Sequence, residues 1–356
     1  MHRHSDFDRL ASEWGIHFDG AMDYLPNEFR RDYHLAMDAQ PTLVTTPNSG
    51  IPAFLTTLVD PQIIRVLLAP NKGAQILGEV RKGSWLDQTA MFPVVERTGE
   101  VSTYGDRNTM GRAGINMSFP QRQSILYQLM LEWGQLEMER AGLARIGWAA
   151  EVKEAGVMIL NKYQNLTYFF GVLGIQNYGL TNDPSLSAYI TPAPKAAGGT
   201  AWISGGRINA TANEVYADIQ AIFYQLVAQG NGLIAADTKM VLAMSPQSEV
   251  ALTATNTFNV NVFDLLKKNF PNIRFETAIQ YGVPTASNPQ GITGGNVVQL
   301  IAEELEGQDT GFCAFNEKLR SHPIIVEASS FKQKLTQGSW GAVIRMPFAI
   351  AQMQGV

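Results

Sequence analysis

The sequence predicts an α+β fold in which an extended arm and a projecting hairpin accompany a globular body. Three features lead to this prediction: a proline-rich N-terminal stretch, two strand-like segments around a polar turn, and a later alternation of short strands and helices. Charged residues make up only 17% of the 356 residues, whereas about 25% is usual in soluble proteins. A thinly charged surface is poorly protected against association, so the protein either aggregates or uses much of its surface to contact partners.

Composition excludes several classes of protein. Cys313 is the single cysteine, so an intramolecular disulfide framework and a thiolate zinc site are excluded, and we expect it to be a small buried apolar side chain. The net charge of −5 argues against a nucleic-acid-binding protein, because such proteins are usually basic. The sequence contains no run of about 18 apolar residues, so no membrane-spanning helix is predicted. The segment after Met1 lacks the apolar core of a signal peptide, so we expect synthesis in the cytoplasm.

The first sixty residues are predicted to form an extended arm. Pro41, Pro47, Pro52 and Pro61 prevent a long helix there and favour extended chain. A segment with so little apolar material of its own is expected to lie on another surface. The arm is followed by a predicted short helix that starts at Asp60 and Pro61, the residue types preferred at a helix N-terminus.

A long hairpin with a polar tip is predicted next. Residues 91–95 are a strand candidate, and Ile115–Phe119 alternates in the manner of a half-exposed strand. Between them, residues 98–108 are rich in turn-forming residues. Few residues of this hairpin could build a core, so we expect it to project from the body.

Residues 122–164 contain no proline and predict the longest helix of the chain. Their apolar residues recur mostly at intervals of three, four or seven, as in Ile125, Leu129, Trp133 and Leu136. A second helix is predicted from an N-cap at Thr211 to a stop at Gly230.

A compact α/β unit is predicted from residue 231 to about 320. Strands are expected at residues 239–244, 273–275 and 297–302, with a helix at 260–269. Residues 331–353 return to strand character, and Gln337–Gly341 is expected to be the turn of a final hairpin.

No catalytic, cofactor or metal site is predicted. His322 is the only histidine after residue 34, and no nucleophile elbow or Walker loop occurs. The pairs Gly198-Gly199 and Gly294-Gly295 are interpreted as turns, and residues 303–306, with three glutamates, as a solvated turn. His2 and His4 lie in a terminal segment that could bind metal only adventitiously.

Several short segments of the sequence resemble those of one known protein family. These places are Gly83-Ser84-Trp85, Tyr104-Gly105-Asp106, residues 161–165 and, most specifically, residues 174–184. Together with the order of arm, hairpin, long helix and α/β unit, they resemble the major capsid proteins of tailed bacteriophages, which have the Hong Kong 97-type capsid fold. The resemblance covers essentially the whole chain.

This resemblance implies a domain plan. It has an N-terminal arm, an extended loop, a peripheral domain with a long spine helix at about 122–164, and an axial α/β domain. In this sequence we expect the arm at 1–60, the extended loop at 82–121 and the axial domain at 205–322. The peripheral domain is then expected to comprise residues 61–81, 122–204 and 323–356.

The resemblance also implies a function. A structural subunit of this family assembles with itself into pentamers and hexamers that form an icosahedral head around double-stranded DNA, with which it makes weak contact. Separate scaffolding, portal and decoration proteins are expected partners, the virion is the expected location, and no enzymatic activity or membrane partner is expected. The alternatives are an encapsulin-type bacterial compartment shell protein and, more remotely, a soluble α/β enzyme.

Contacts between subunits are expected at the loop tip, which comprises Tyr104, Gly105, Asp106 and Arg107. Some relatives form a covalent lysine–asparagine link between subunits. Lys82 lies near the predicted loop base and Asn108 near its tip, but the sequence does not place them against partners. Cross-linking is therefore not predicted.

Overall fold

The structure is a computed structural model, and it describes residues 71–143, 147–286 and 288–356. The predicted arm and the short helix predicted after Asp60 lie outside the described residues. The helices, numbered along the chain, are α1 Gly73–Leu77, α2 Gln135–Leu143, α3 Trp148–Phe170, α4 Ala212–Gln229, α5 Pro246–Ala251 and α6 Val262–Asn269. Two 3₁₀ turns occur at Ile279–Tyr281 and Pro347–Ala349.

Strands account for most of the remaining regular structure. They are β1 Glu79–Arg81, β2 Thr89–Met91, β3 Val94–Glu100, β4 Arg112–Ser118, β5 Gln121–Gln123, β6 Ile125–Gly134, β7 Ile203–Ser204, β8 Arg207–Ile208, β9 Met240–Met244, β10 Ile273–Thr277, β11 Val297–Ala302, β12 Glu304–Leu305, β13 Gln308–Asp309, β14 Gly311–Val326, β15 Ser330–Ile344 and β16 Ile350–Gln354.

One four-stranded sheet, in the order β1-β14-β15-β6, carries the long helix α3 on one face. Leu131 and Trp133 of β6, Leu160 of α3 and Leu335 of β15 form the buried core between them. Gly156 lets the helix approach closely, because a Cβ at this position would lie 2.6 Å from Leu131 Cδ2. The packing of α3 on this sheet depends on that small residue.

A second four-stranded sheet has the order β10-β9-β11-β16 and is buried on both faces. Along β9, Met240, Leu242 and Met244 face the core beneath α4 and α6, while Val241 and Ala243 face the opposite core. This period of two explains why β9 is a continuous apolar run in the sequence. The predicted strands and helices of the α/β unit are confirmed here.

The helix predicted over residues 122–164 is wrong up to residue 134, and helices α2 and α3 follow it. Residues 125–134 form strand β6, which pairs antiparallel with β15 through ten consecutive residue pairs. The spacing of four between Ile125, Leu129 and Trp133 fits both a helix and a strand. The alternate burial of residues 127, 129, 131 and 133 reveals the strand period.

The turn predicted at Gln337–Gly341 is also wrong, because these residues lie within β15. The actual turn between β14 and β15 comprises residues 327–329. The side chain of Asn316 lies so close to the backbone of residue 338 that a Cβ there would collide with it, so this position requires glycine. Gly341 has a φ of +75° beside a register shift in the ladder. The glycines therefore serve strand packing instead of a turn.

The division between the two sheets differs from the predicted boundary at residue 322. Residues 311–322 belong to β14 in the sheet under α3, whereas β16, at 350–354, completes the α/β sheet. The chain thus returns to the α/β sheet after β15. There β16 pairs antiparallel with β11 through five residue pairs.

Candidate functional site: the projecting hairpin and its anchor

The hairpin of β3 and β4 has no covered face in the described chain. All residues of both strands are exposed, although they pair regularly from Val94 with Ser118 to Glu100 with Arg112. Because opposite residues share a face, one side presents Val95, Met117 and Ile115, with Arg97 opposite Ile115. The other side is mainly polar. The predicted projecting hairpin is therefore present, and its apolar side has nothing to pack against within the described chain.

The hairpin tip is organised by hydrogen bonds around Asn108. Its side-chain amide donates to Thr103 O at 2.6 Å and to Ser102 Oγ at 3.1 Å, and its Oδ1 accepts from Met110 N at 2.9 Å. The backbone N–H of Asn108 donates to Gly105 O at 2.8 Å. These bonds hold an exposed loop in one shape without help from an apolar core.

The predicted contact residues all lie at this tip. Tyr104 is 93% exposed, and its hydroxyl donates to Asp106 Oδ1 at 2.9 Å. Gly105 and Arg107 are exposed beside them. The structure thus brings Tyr104, Gly105, Asp106 and Arg107 together on one solvent-facing surface, and their contact with other subunits stays a prediction.

The hairpin joins the body at a buried ion pair. Arg122, on β5, donates from Nη2 to Asp183 Oδ2 at 2.7 Å, and its guanidinium lies 5.0 Å from the ring centre of Tyr178. Ser185 donates to the same carboxylate through its backbone N–H and its hydroxyl. A buried charge needs such partners, so this pair fixes the base of the hairpin.

Residues 174–184, the most specific part of the family resemblance, form the rest of this anchor. The backbone N–H of Gln123 donates to Gln176 O at 2.8 Å. The side-chain amide of Asn177 donates to Gln123 O at 3.0 Å and to Ser339 O at 3.1 Å. The segment therefore connects the returning strand of the hairpin to β15 in the sheet under α3.

Nothing in the sequence marks Arg122 and Asp183 as partners. They are 61 residues apart, and each resembles an ordinary surface charge in the sequence. The one usable signal was the Asp183-Pro184 sequence inside the conspicuous segment 174–184, which indicates a fixed turn.

The residues that the sequence offered as candidates for chemistry are accounted for by burial, turn geometry and local contacts. Cys313 is fully buried, as predicted, and burial raises the pKa of its thiol. The glutamate cluster is a tight turn in which Glu306 and Gly307 have φ values of 50° and 77°, while Glu303 pairs with Arg274. His322 contacts Thr336 Oγ1 at 3.1 Å.

Within the described ranges, no group of three or more histidine, cysteine, aspartate or glutamate side chains could hold a metal ion. None of the helices described is long and apolar enough to cross a membrane.

A family model described as Pa193 gp26 major capsid protein matches residues 42–355 of the sequence. No curated protein matches the sequence.

Solved structures share the fold at low sequence identity. The capsid of Myoviridae phage XM1 has a TM-score of 0.68 at 14% identity, over 87% of this chain and 100% of that chain. The capsid of an empty GTA particle has a TM-score of 0.54 at 13% identity, over 87% and 99%. A structure from Mycobacterium phage Ogopogo has a TM-score of 0.55 at 10% identity, over 86% and 99%.

Proposed function

The chain belongs to the Pa193 gp26 major capsid protein family, and from that premise we propose that it closes an icosahedral phage head around double-stranded DNA. The expected resemblance to phage major capsid proteins is confirmed, and so is the α+β class. As a major capsid protein, the chain is a component of the virion. In our proposal, copies of the chain associate first into pentamers and hexamers.

The observation that carries this proposal is the hairpin of β3 and β4, exposed on both faces. An isolated two-stranded ribbon is at best marginally stable in water, and this one leaves Val95, Ile115 and Met117 exposed. The ribbon nevertheless has a rigid anchor at Arg122 and an ordered tip around Asn108. In our proposal, the apolar side chains of this hairpin become buried when a second copy of the chain packs against them.

Charge supports the proposed relation to the packaged DNA. The chain has a net charge of −5, with 27 lysine and arginine residues against 32 acidic ones. A strongly basic inner wall would release many counterions on binding DNA and hold it tightly. A subunit without that excess of basic residues makes the weak contact that packaging and ejection require.

We further propose that the chain has a purely structural role, with no catalytic step of its own. Scaffolding, portal and decoration functions are then supplied by separate proteins. The encapsulin alternative has no specific observation in its favour, and the contents of the particle distinguish it from a phage head.

The test is assembly of the purified protein. We expect light scattering and negative-stain images to show closed particles tens of nanometres across. Particles isolated from infected cells should contain double-stranded DNA, whereas an enzyme cargo without DNA would support the encapsulin alternative. A variant in which a short turn replaces residues 101–111 should keep the fold and lose particles. A strictly monomeric unmodified protein at high concentration would overturn the proposal.

A further inference from the structure

The turn that follows helix α4 contains the one Asn-Gly sequence of the chain, Asn231-Gly232. Helix α4 ends at Gln229, and the backbone N–H of Leu233 donates to Gly230 O at 2.9 Å, which closes a four-residue turn. Its two central residues both have positive φ, 46° at Asn231 and 86° at Gly232. Positive φ at both central positions is characteristic of a type I′ turn, for which asparagine followed by glycine is a preferred pair.

This turn is fixed at its two ends and open at its centre. Gly230 N donates to Leu226 O at 3.0 Å, and the buried Ile234 packs so closely on Gly230 that a Cβ there would lie 2.9 Å from Ile234 Cδ1. Asn231 and Gly232 are exposed, and a Cβ at Gly232 would meet no atom of the described residues within 4 Å. The central peptide group therefore has room for a change in covalent structure.

The hydrogen bond of the turn does not engage the nitrogen of Gly232. A turn of this type uses the N–H of its fourth residue, here Leu233, as the donor. The nitrogen of Gly232 directly follows Asn231 in the chain, so its attack on the side-chain carbonyl carbon of Asn231, Cγ, closes a succinimide ring. Glycine at this position brings no side chain that would crowd the ring.

We propose that Asn231 is a site of spontaneous deamidation in the folded protein. The bond between Gly232 N and Asn231 Cγ forms, the bond between Cγ and Nδ2 breaks, and the amide proton of Gly232 leaves with Nδ2 as ammonia. Water then opens the succinimide at one of its two carbonyl groups. Opening at Cγ gives aspartate, and opening at the backbone carbonyl gives isoaspartate, whose main chain runs through Cγ. The inference does not depend on the proposed function.

Either product adds a carboxylate to a surface that is already acidic. The pocket beside Leu233 is also lined by Asp237, Glu304 and Glu306, with Lys239 as its basic residue. Isoaspartate in addition lengthens the main chain of the turn by one carbon atom. Copies of the chain that have aged therefore differ from new copies at this surface, both in charge and in backbone.

Asn259 provides a control within the same molecule. It is also exposed and has a positive φ, 57°. The next residue is Val260, whose N–H donates to Asn256 Oδ1 at 3.1 Å, so the nitrogen that would attack is already engaged. The branched side chain of Val260 also crowds the ring. We therefore expect Asn259 to keep its amide under conditions in which Asn231 loses it.

Peptide mass spectrometry of the full chain tests the proposal. The folded protein is kept in warm, mildly alkaline buffer and digested with trypsin, and fragment ions then report conversion at each asparagine. We expect Asn231 to convert at least about tenfold faster than Asn259, which corresponds to about 1.4 kcal/mol in activation free energy. Equal rates at the two positions would overturn the proposal. So would an intact Asn231 in the folded protein when the urea-unfolded protein converts.

Two variants of the turn separate the roles of its central residues. Asparagine tolerates positive φ, so Gly232→Asn should keep the turn, as circular dichroism and the Tm report, and should slow conversion of Asn231 by about tenfold or more. Asn231→Gly also suits a type I′ turn and removes the amide. It should abolish the labelling of this peptide by protein isoaspartyl methyltransferase. Labelling that persists at its full level in folded Asn231→Gly would refute the proposal.

Discussion

The guanidinium of Arg122 lies 2.7 Å from the carboxylate of Asp183, and both side chains are buried where the hairpin meets the body. Three kinds of contact meet at this pair: the ion pair itself, the ring of Tyr178 and the two bonds from Ser185. A rigid base matters because the ribbon beyond it has no other support from the described chain.

Removal of Arg122 should destabilise the protein strongly. In Arg122→Met the Asp183 carboxylate stays buried without its counter-charge, which costs about 3–5 kcal/mol. Urea unfolding of the full chain measures this change. The control is Lys239→Met, which removes an exposed pair with Glu304 and should cost about 0–1 kcal/mol. Similar losses in the two variants would contradict the role given to the buried pair.

Loss of the Asn108 side chain should loosen the tip and leave the body unchanged. Asn108→Ala removes three hydrogen bonds that hold residues 102–110 together. Because the loop is exposed, we expect the free energy of unfolding to change by less than about 0.5 kcal/mol. Trypsin should cleave faster after Arg107. Asn116→Ala, on β4, is the control and should leave that cleavage rate unchanged.

Acidification should remove the contribution of Glu214 to the stability of α4. Hydrogen bonds from the N–H groups of Thr211 and Ala196 hold the pKa of Glu214 below its usual value of 4.5. A carboxyl group whose folded pKa is depressed stabilises the fold above its unfolded pKa, and this stabilisation disappears as the pH falls through the folded pKa.

The stability difference between the unmodified protein and Glu214→Gln should therefore be largest near neutral pH. It should shrink as the pH falls below 4.5 and reach a constant value below the folded pKa. Urea titrations across this range measure it. A difference that does not depend on pH would show that the charge of Glu214 contributes nothing to the N-terminal cap of α4.

Two helical glycines should respond to alanine with opposite signs. Among the described residues, a Cβ at Gly142, near the end of α2, would meet no atom within 4 Å, so Gly142→Ala should stabilise the protein by at most about 0.5–1 kcal/mol. A Cβ at Gly156, in α3, would lie 2.6 Å from Leu131 Cδ2, so Gly156→Ala should destabilise by about 1–3 kcal/mol through overpacking. Thermal unfolding of both variants tests this comparison, and a shift of the same sign in both would refute it.

Local signals predicted the elements whose contacts are local. Thr211 and Gly230 bracket α4 as expected, and the capping box of Thr211 with Glu214 is formed. The β3–β4 hairpin followed from alternation and turn residues because its two strands are close in sequence. The sequence therefore sufficed where capping and turn chemistry decide the structure.

Elements that depend on distant partners were missed. Residues 125–134 become a strand because β15 pairs with them from about two hundred residues away, and their apolar spacing alone fits either period. Gly338 and Gly341 resembled turn residues until Asn316 and the shifted register explained them. For the same reason, the contact of Arg122 with Asp183 could not be predicted from two separated charges.

The order of the strands has a consequence for synthesis of the protein on the ribosome. The hairpin can close as soon as Ser118 pairs with Val94, but β6 waits for β15, and the α/β sheet waits for β16. Contacts this distant in sequence form slowly. An incomplete chain therefore exposes the β3–β4 hairpin before either four-stranded sheet is complete. The apolar side chains of the hairpin are thus exposed to neighbouring molecules before the body of their own chain has folded.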